Sequence, residues 1–164
     1  LRLAAETPGP VYVRMGRASV PAVYAPDVEL ELGKAYVIDE GTDVSIIACG
    51  LEVTEARKAA EKLAEEGISA EVIDAFSVKP LDAETILASL AKTGCAVVAE
   101  EHSVYGGLCS AVSELCAESQ PTPLEFVAVR DRFGKSGEFE ELMAYFGLDA
   151  ASIVQAAKKV LMRK

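Results

Sequence analysis

Short unbroken apolar runs alternate with amphipathic stretches along most of the chain. Val44-Ser45-Ile46-Ile47-Ala48-Cys49 is nearly all apolar and stops at Gly50. Strands covered on both faces have this continuous character. Residues 53–66 follow, with Val53, Ala56, Ala60, Leu63 and Ala64 at spacings of three and four. That is the inward stripe of a helix lying on a sheet. On its wet side Arg57 with Glu61, and Lys62 with Glu66, stand four apart and predict ion pairs. Gly67 can take the left-handed conformation that ends a helix, because it has no Cβ to clash.

The same unit recurs. Residues 70–73 form a second strand candidate. Asp82 can cap a helix that buries Ile86, Leu87 and Leu90 and stops near Gly94. Cys95-Ala96-Val97-Val98-Ala99 is the next buried strand. Gly106 and Gly107 precede a helix with Leu108, Val112, Leu115 and Cys116 facing inward, and residues 124–129 make the fourth strand after Pro121 and Pro123. The last helix begins near Ala150 behind Asp149 and carries Ile153, Ala157, Val160 and Leu161. Lys158, Lys159, Arg163 and Lys164 gather at its C-terminal end, where the helix dipole favours cations. Buried strands separated by helices predict an α/β fold of three αβα layers around a mostly parallel sheet. Residues 36–38 can add an edge strand, with antiparallel pairing allowed. Strand order is left open by this pattern.

Residues 1–32 break the rhythm. Residues 11–15 are a strand candidate after Pro8, Gly9 and Pro10, and residues 19–32 hold Pro21 and Pro26 without a helical period, which reads as a linker. A domain boundary is expected there, with 33–164 forming the main domain. The chain begins with Leu1, which is compatible with a trimmed fragment.

Composition narrows the function classes. Of 164 residues, 51% are hydrophobic and 26% charged, which describes a folded chain and not a disordered one. The 26 acidic side chains outnumber 16 basic ones, for a formal charge of -10. Nucleic-acid and anionic-membrane binders need a positive footprint, so neither partner is expected. No apolar run reaches the roughly 18 residues of a bilayer span, and no signal-peptide pattern opens the chain. Cys49, Cys95, Cys109 and Cys116 form no CxxC pair and none adjoins His102, the only histidine. They read as small buried hydrophobes in a reducing compartment, and the expected location is the cytoplasm.

In open α/β sheets ligands bind beyond the C-terminal ends of the strands. The segments expected there are Gly50-Leu51-Glu52, residues 76–82, residues 100–107 and residues 130–137. The first lacks a dinucleotide fingerprint, and no Walker motif or Gly-x-Ser-x-Gly elbow occurs. Glu100, Glu101 and His102 are the most reactive-looking group. A carboxylate could orient the imidazole for proton transfer, could line an interface or peripheral substrate channel, or could satisfy backbone amides and fix the turn. Gly106-Gly107 lets a helix start close to the sheet, or offers bare amides to an anion. Arg130-Asp131-Arg132 is either a solvated salt-bridge cluster or a contact to another subunit or domain. Arg14 and Arg17 are free surface cations or anchors for a phosphorylated substrate.

These segments resemble a known family. Asp43-Val44-Ser45-Ile46-Ile47-Ala48-Cys49-Gly50, Val72-Ile73-Asp74-Ala75-Phe76-Ser77-Val78-Lys79-Pro80-Leu81-Asp82, Ala99-Glu100-Glu101-His102-Ser103, Gly106-Gly107-Leu108, Ser110-Ala111-Val112 and Arg130-Asp131-Arg132-Phe133-Gly134-Lys135-Ser136-Gly137 stand in the order seen in the C-terminal domain of transketolase. Residues 7–17 look like the last strand of the preceding pyrimidine-binding domain, so 1–32 is expected to be that domain's tail plus a linker. The resemblance implies transfer of a two-carbon ketol unit between sugar phosphates in a full enzyme using thiamine diphosphate and magnesium or calcium. It implies a domain that packs against the N-terminal and pyrimidine-binding domains and supports a homodimer, with no cofactor expected on this piece and no catalysis by it alone. Arg17 matches, in outline, a family arginine that binds substrate phosphate, although Ala18-Ser19-Val20 depart from the usual wording. Cys109 stands where relatives commonly have glycine.

Two relatives compete. Deoxyxylulose-phosphate synthase has similar Lys-Pro-Leu-Asp, Glu-Glu and Gly-Gly pieces, but the 133–137 ending fits transketolase better. The beta subunit of 2-oxo-acid dehydrogenases shares the domain but usually lacks a histidine like His102. A non-catalytic interaction or regulatory domain is the alternative from a different class.

Overall fold

The computed structural model describes residues 1–164. Five strands form one sheet: β1 (Tyr36–Asp39), β2 (Val44–Ala48), β3 (Ala70–Asp74), β4 (Ala96–Ser103) and β5 (Leu124–Val129). Their order is β1-β3-β2-β4-β5. The pairs β2–β3, β2–β4 and β4–β5 are parallel, and β1 lies antiparallel on β3. The helices are α1 (Arg2–Glu6), α2 (Leu51–Glu65), α3 (Ala83–Thr93), α4 (Leu108–Ser119), α5 (Phe139–Phe146) and α6 (Ala150–Leu161). This is the expected three-layer α/β architecture with one antiparallel edge strand.

The pleat divides the apolar runs between two cores. Ile46, Val72 and Val97 face α2 and α6, where Leu63, Ile153 and Val160 meet them. Ile47, Ile73 and Val98 face the opposite way, toward Ile86 and Leu90 of α3 and Leu108 and Val112 of α4. Adjacent residues such as Ile46 and Ile47 therefore serve different cores, which is why the run shows no polar alternation. Each such side chain contributes about 1.5–3 kcal/mol on burial. Ser45 is the polar exception in β2. Its hydroxyl lies 2.6 Å from that of Ser89 and 2.7 Å from that of Thr93, both on α3, so the buried group is satisfied.

Several expectations shift. Residues 11–15 form no strand, because no neighbouring strand pairs with them; Tyr12 there is 88% exposed. Helix α2 starts at Leu51 and buries Ala59 where Ala64 was expected. Arg57 pairs with Asp39 at 2.9 Å instead of Glu61, and Glu66 pairs with Lys158 at 2.6 Å instead of Lys62. Tertiary neighbours outcompete the i,i+4 partners. Cys109 is buried on α4, and Leu115 only partly. Helices α1 and α5 go beyond the expected elements. α1 has five residues and buries none, whereas α5 carries Phe139, Leu142, Met143 and Phe146 at i, i+3, i+4 and i+7, a helical stripe that the sequence reading passed over.

Residues 19–32 contain no helix or strand. They are nonetheless pinned to the domain. Tyr24 packs edge-on against Tyr36, ring centres 6.0 Å apart, and Tyr36 stacks on Phe76 at 6.2 Å. The Tyr36 hydroxyl accepts a hydrogen bond from the Glu31 amide at 2.8 Å.

Candidate functional site at the strand ends

From β2 the chain crosses through α2 to β3, and from β4 it crosses through α4 to β5 on the other side. The two connections diverge, so the topological switch point lies between the C-terminal ends of β2 and β4. Strand β4 runs on through Ser103, which carries Glu100, Glu101 and His102 out of the expected loop and onto the strand itself.

Glu100 is buried there. Its Oε2 accepts the Leu108 amide at 2.8 Å and its Oε1 accepts the Cys109 amide at 2.8 Å. The first amides of α4 therefore hold an anion, and that anion is the protein's own side chain. Gly107 makes this approach possible, because a Cβ at that position would overlap the Glu100 carboxylate. Of the readings open for the Glu-Glu-His group, Glu100 takes the one that satisfies backbone amides. Both readings of Gly106-Gly107 meet here: the helix starts close to the sheet, and it cradles a carboxylate.

His102 is half-buried, and its Nδ1 lies 2.8 Å from the Ser103 carbonyl oxygen. The nearest Glu100 oxygen is 3.9 Å from Nδ1, too far for a hydrogen bond. Within this chain no carboxylate orients the imidazole for proton transfer. Glu101 approaches residues 14–17: a Cβ on Gly16 would lie 3.2 Å from its Oε2. Arg17 is exposed and makes no ion pair or hydrogen bond within the chain.

Residues that no sequence motif marks complete the site. Glu52, in the first turn of α2, is 0% exposed, and neither carboxylate oxygen has a hydrogen-bond partner. Burial pushes its carboxyl up to about 9, with Glu55, Glu101 and Asp149 adding to the rise. It is therefore a neutral acid at physiological pH. A signal existed, since residues 52, 56, 59 and 63 share one helical stripe, and Ala56, Ala59 and Leu63 are core. Asp74, at the end of β3, accepts the Tyr24 hydroxyl at 2.7 Å on Oδ2, while Oδ1 is buried without a partner. The Cys49 thiol is pushed up to about 12 by burial first, then by the neighbouring carboxylates of Glu100 and Asp74. No thiolate nucleophile is available there.

Arg130 and Arg132 make no ion pair within the chain, so the salt-bridge cluster, one of the two readings of this segment, does not form. Arg130 donates to the Phe126 carbonyl at 2.7 Å, and Arg132 lies 5.8 Å from the Tyr145 ring centre and 5.9 Å from that of Phe146. Neither pairs with Asp131, whose φ is 48°. The guanidinium planes rest near aromatic faces, which attract cations.

The donor set does not suit a metal-bound diphosphate. No three His, Cys, Asp or Glu side chains converge as a cation site. The helix N-terminus at the switch point is filled by Glu100. No helix is long and apolar enough to cross a membrane.

A family model described as the transketolase C-terminal domain matches residues 33–153. The chain is 48% identical over 156 residues to a 6-deoxy-6-sulfo-D-fructose transketolase subunit of Clostridium sp. (strain MSTE9), covering 95% of this chain and 48% of that protein. It is 42% identical over 158 residues to an apulose-4-phosphate transketolase subunit from Phocaeicola vulgatus, covering 96% and 50%. A solved split gene transketolase, described as an inactive beta4 tetramer, superposes with a TM-score of 0.95 at 46% identity, covering 98% of this chain and 53% of that one. The chain thus spans about half the length of each of these relatives.

Proposed function

Because the chain belongs to the transketolase C-terminal domain family, we propose that it is the C-terminal part of a thiamine-diphosphate-dependent transketolase. The full enzyme moves a two-carbon ketol unit from a ketose phosphate to an aldose phosphate. Residues 33–164 pack against the catalytic domains and support assembly, and residues 1–32 are the tail of the pyrimidine-binding domain plus a linker. The chain alone is inert.

The observation that carries this reading is the filled cradle at α4. Glu100 occupies the amides that would otherwise receive a phosphate, which supports the reading that thiamine diphosphate with magnesium or calcium belongs to polypeptide beyond these residues. When bound, that cofactor supplies the carbanion-stabilising chemistry. This chain supplies packing surface and, through Arg17, a candidate contact to substrate phosphate. Exposed Tyr12 and Met15 fit a segment that pairs with a sheet outside the chain. Glu101 and His102 then face the neighbouring domain as interface or peripheral channel residues. The beta4 assembly of the solved relative supports a homo-oligomeric enzyme. The free, largely buried cysteines suit a reducing cytoplasm.

A ketol-transfer assay tests this. The chain alone should be inactive, and mixing it with the upstream domains should restore transfer. A well-folded, tightly associated mixture without activity would overturn the assignment. Tight thiamine diphosphate binding by these residues alone, measured by titration calorimetry, would overturn the inert role.

A further inference from the structure

Residues 8–24 make no backbone–backbone hydrogen bond, and the bond from the Tyr24 hydroxyl to Asp74 is their only side-chain one. Asp74 is 5% exposed, and Tyr24 is its single donor, because its second oxygen has no partner. Burial first, and then this hydrogen bond, raise the Tyr24 hydroxyl above its ordinary value, so it stays protonated and donating. The Tyr24 ring rests edge-on against Tyr36, and Val23 packs against the core shared by α2 and α6. One hydrogen bond to a buried carboxylate and two apolar contacts thus fasten this end of the segment.

The other end touches the sheet at Gly16, where a Cβ would stand 3.2 Å from Oε2 of Glu101, near the end of β4. Asp74 ends β3, and β2 stands between β3 and β4 in the sheet. Residues 16–24 therefore cross the end of β2 as a strap that meets the domain at two points. Arg17 follows the first point directly and precedes Tyr24 by seven residues. Between the points Arg17, Ser19, Val20, Pro21 and Ala22 are exposed, and only Ala18 is half-buried before Val23. With no partner of its own in the chain, the Arg17 guanidinium is placed by the strap that carries it.

We propose that Tyr24 and Asp74 are positioning residues for the substrate phosphate: their hydrogen bond latches the strap and so sets where Arg17 stands. The proposal rests on the reading of Arg17 as a phosphate contact. Without the latch, only Val23 and the ring contact fasten this end of the strap. Arg17 then spends part of its time out of place, and the apparent affinity for phosphate falls by the latched fraction. The reacting carbonyl lies at the far end of the sugar from its phosphate, so the chemical step is spared.

Kinetics of the enzyme assembled from this chain and the upstream domains test it, with fructose 6-phosphate and fructose as donors. Tyr24→Phe keeps the ring and loses the hydroxyl. It should raise KM for fructose 6-phosphate about tenfold with kcat unchanged, and move kcat/KM for fructose less than about twofold. Asp74→Asn, whose amide oxygen still accepts the hydroxyl, should keep KM within about threefold of wild type. With Arg17→Ala already present, Tyr24→Phe should add less than about twofold. If Arg17→Ala raises KM and Tyr24→Phe does not, the positioning role alone falls. If Arg17→Ala leaves KM unchanged, the phosphate contact falls and the proposal with it. A Tyr24→Phe effect equal for both donors, or undiminished without Arg17, is a structural effect and overturns the proposal. Trypsin gives a readout without activity: it should cut the chain after Arg17 faster in Tyr24→Phe, and an equal rate overturns the latch.

Discussion

Tyr24 and Asp74, fifty residues apart, are joined by a 2.7 Å hydrogen bond that ties the segment 19–32 to the end of the central sheet. Burial raises the Asp74 carboxyl above its ordinary range, and the Tyr24 hydroxyl partly offsets that rise. Tyr24→Phe removes the only hydrogen-bond donor to a buried carboxylate. It should cost about 1.5–3 kcal/mol at neutral pH in urea unfolding, as for hydrogen bonds to charged groups. Asp74 has a raised folded-state value, so its contribution is greatest in acid and is lost as pH rises through that value. Because the Tyr24 hydroxyl favours the ionised form of Asp74, the penalty of Tyr24→Phe should shrink toward acid, where the carboxyl is protonated with or without it. Hydrogen exchange of the amides of that segment should accelerate in the variant.

Glu52 should make the domain less stable toward alkaline pH. Its folded value of about 9 lies above the model-compound 4.5, so its favourable contribution is complete in acid and declines between those values. The slope is about 1.4 kcal/mol per pH unit for one fully linked proton. Glu52→Gln removes the ionisation and should flatten the profile, leaving the variant more stable than wild type at pH 8. Denaturation midpoints from pH 5 to 9 check this; parallel profiles would contradict it.

Gly107→Ala should be severely destabilising, because its methyl must displace the Glu100 carboxylate from α4. Glu100→Ala leaves the Leu108 and Cys109 amides unpaired, at about 1–3 kcal/mol each. The double variant should cost less than the sum, because both changes disrupt one contact. A thermodynamic cycle from urea unfolding measures that coupling.

The four thiols should resist alkylation at neutral pH. Burial raises Cys49, Cys95, Cys109 and Cys116 above the ordinary thiol value, and the thiolate is the reacting form. Iodoacetamide labelling should be slow in buffer and complete at all four in urea. Fast labelling of Cys49 in the folded chain would contradict its burial-raised value.

Most of the layered architecture is legible in the sequence. Val44 to Ala48 and Ala96 to Ala99 could only be strands covered twice, and Asp82, Asp149 and Gly67 mark helix ends where the structure has them. The candidate site is less legible. Glu100 is visible as a reactive-looking carboxylate, but its partners lie eight and nine residues along the chain, across a turn whose geometry no periodicity encodes. In sequence Arg130 and Arg132 flank Asp131, whereas in the fold they rest near rings of Phe126, Tyr145 and Phe146. Residues 11–15 have the composition of a strand, yet a strand needs a partner for its backbone groups.

Local chemistry decided most of the helices and strands of the layered domain and which of their faces are apolar, because backbone propensity and burial period act over a few residues. The order β1-β3-β2-β4-β5, and with it the crevice between β2 and β4, came only with the folded chain. So did the closing of that crevice by Glu100 and the stranding of Glu52 without a partner. Those outcomes depend on which distant groups arrive at hydrogen-bond distance, and a linear pattern carries no distances.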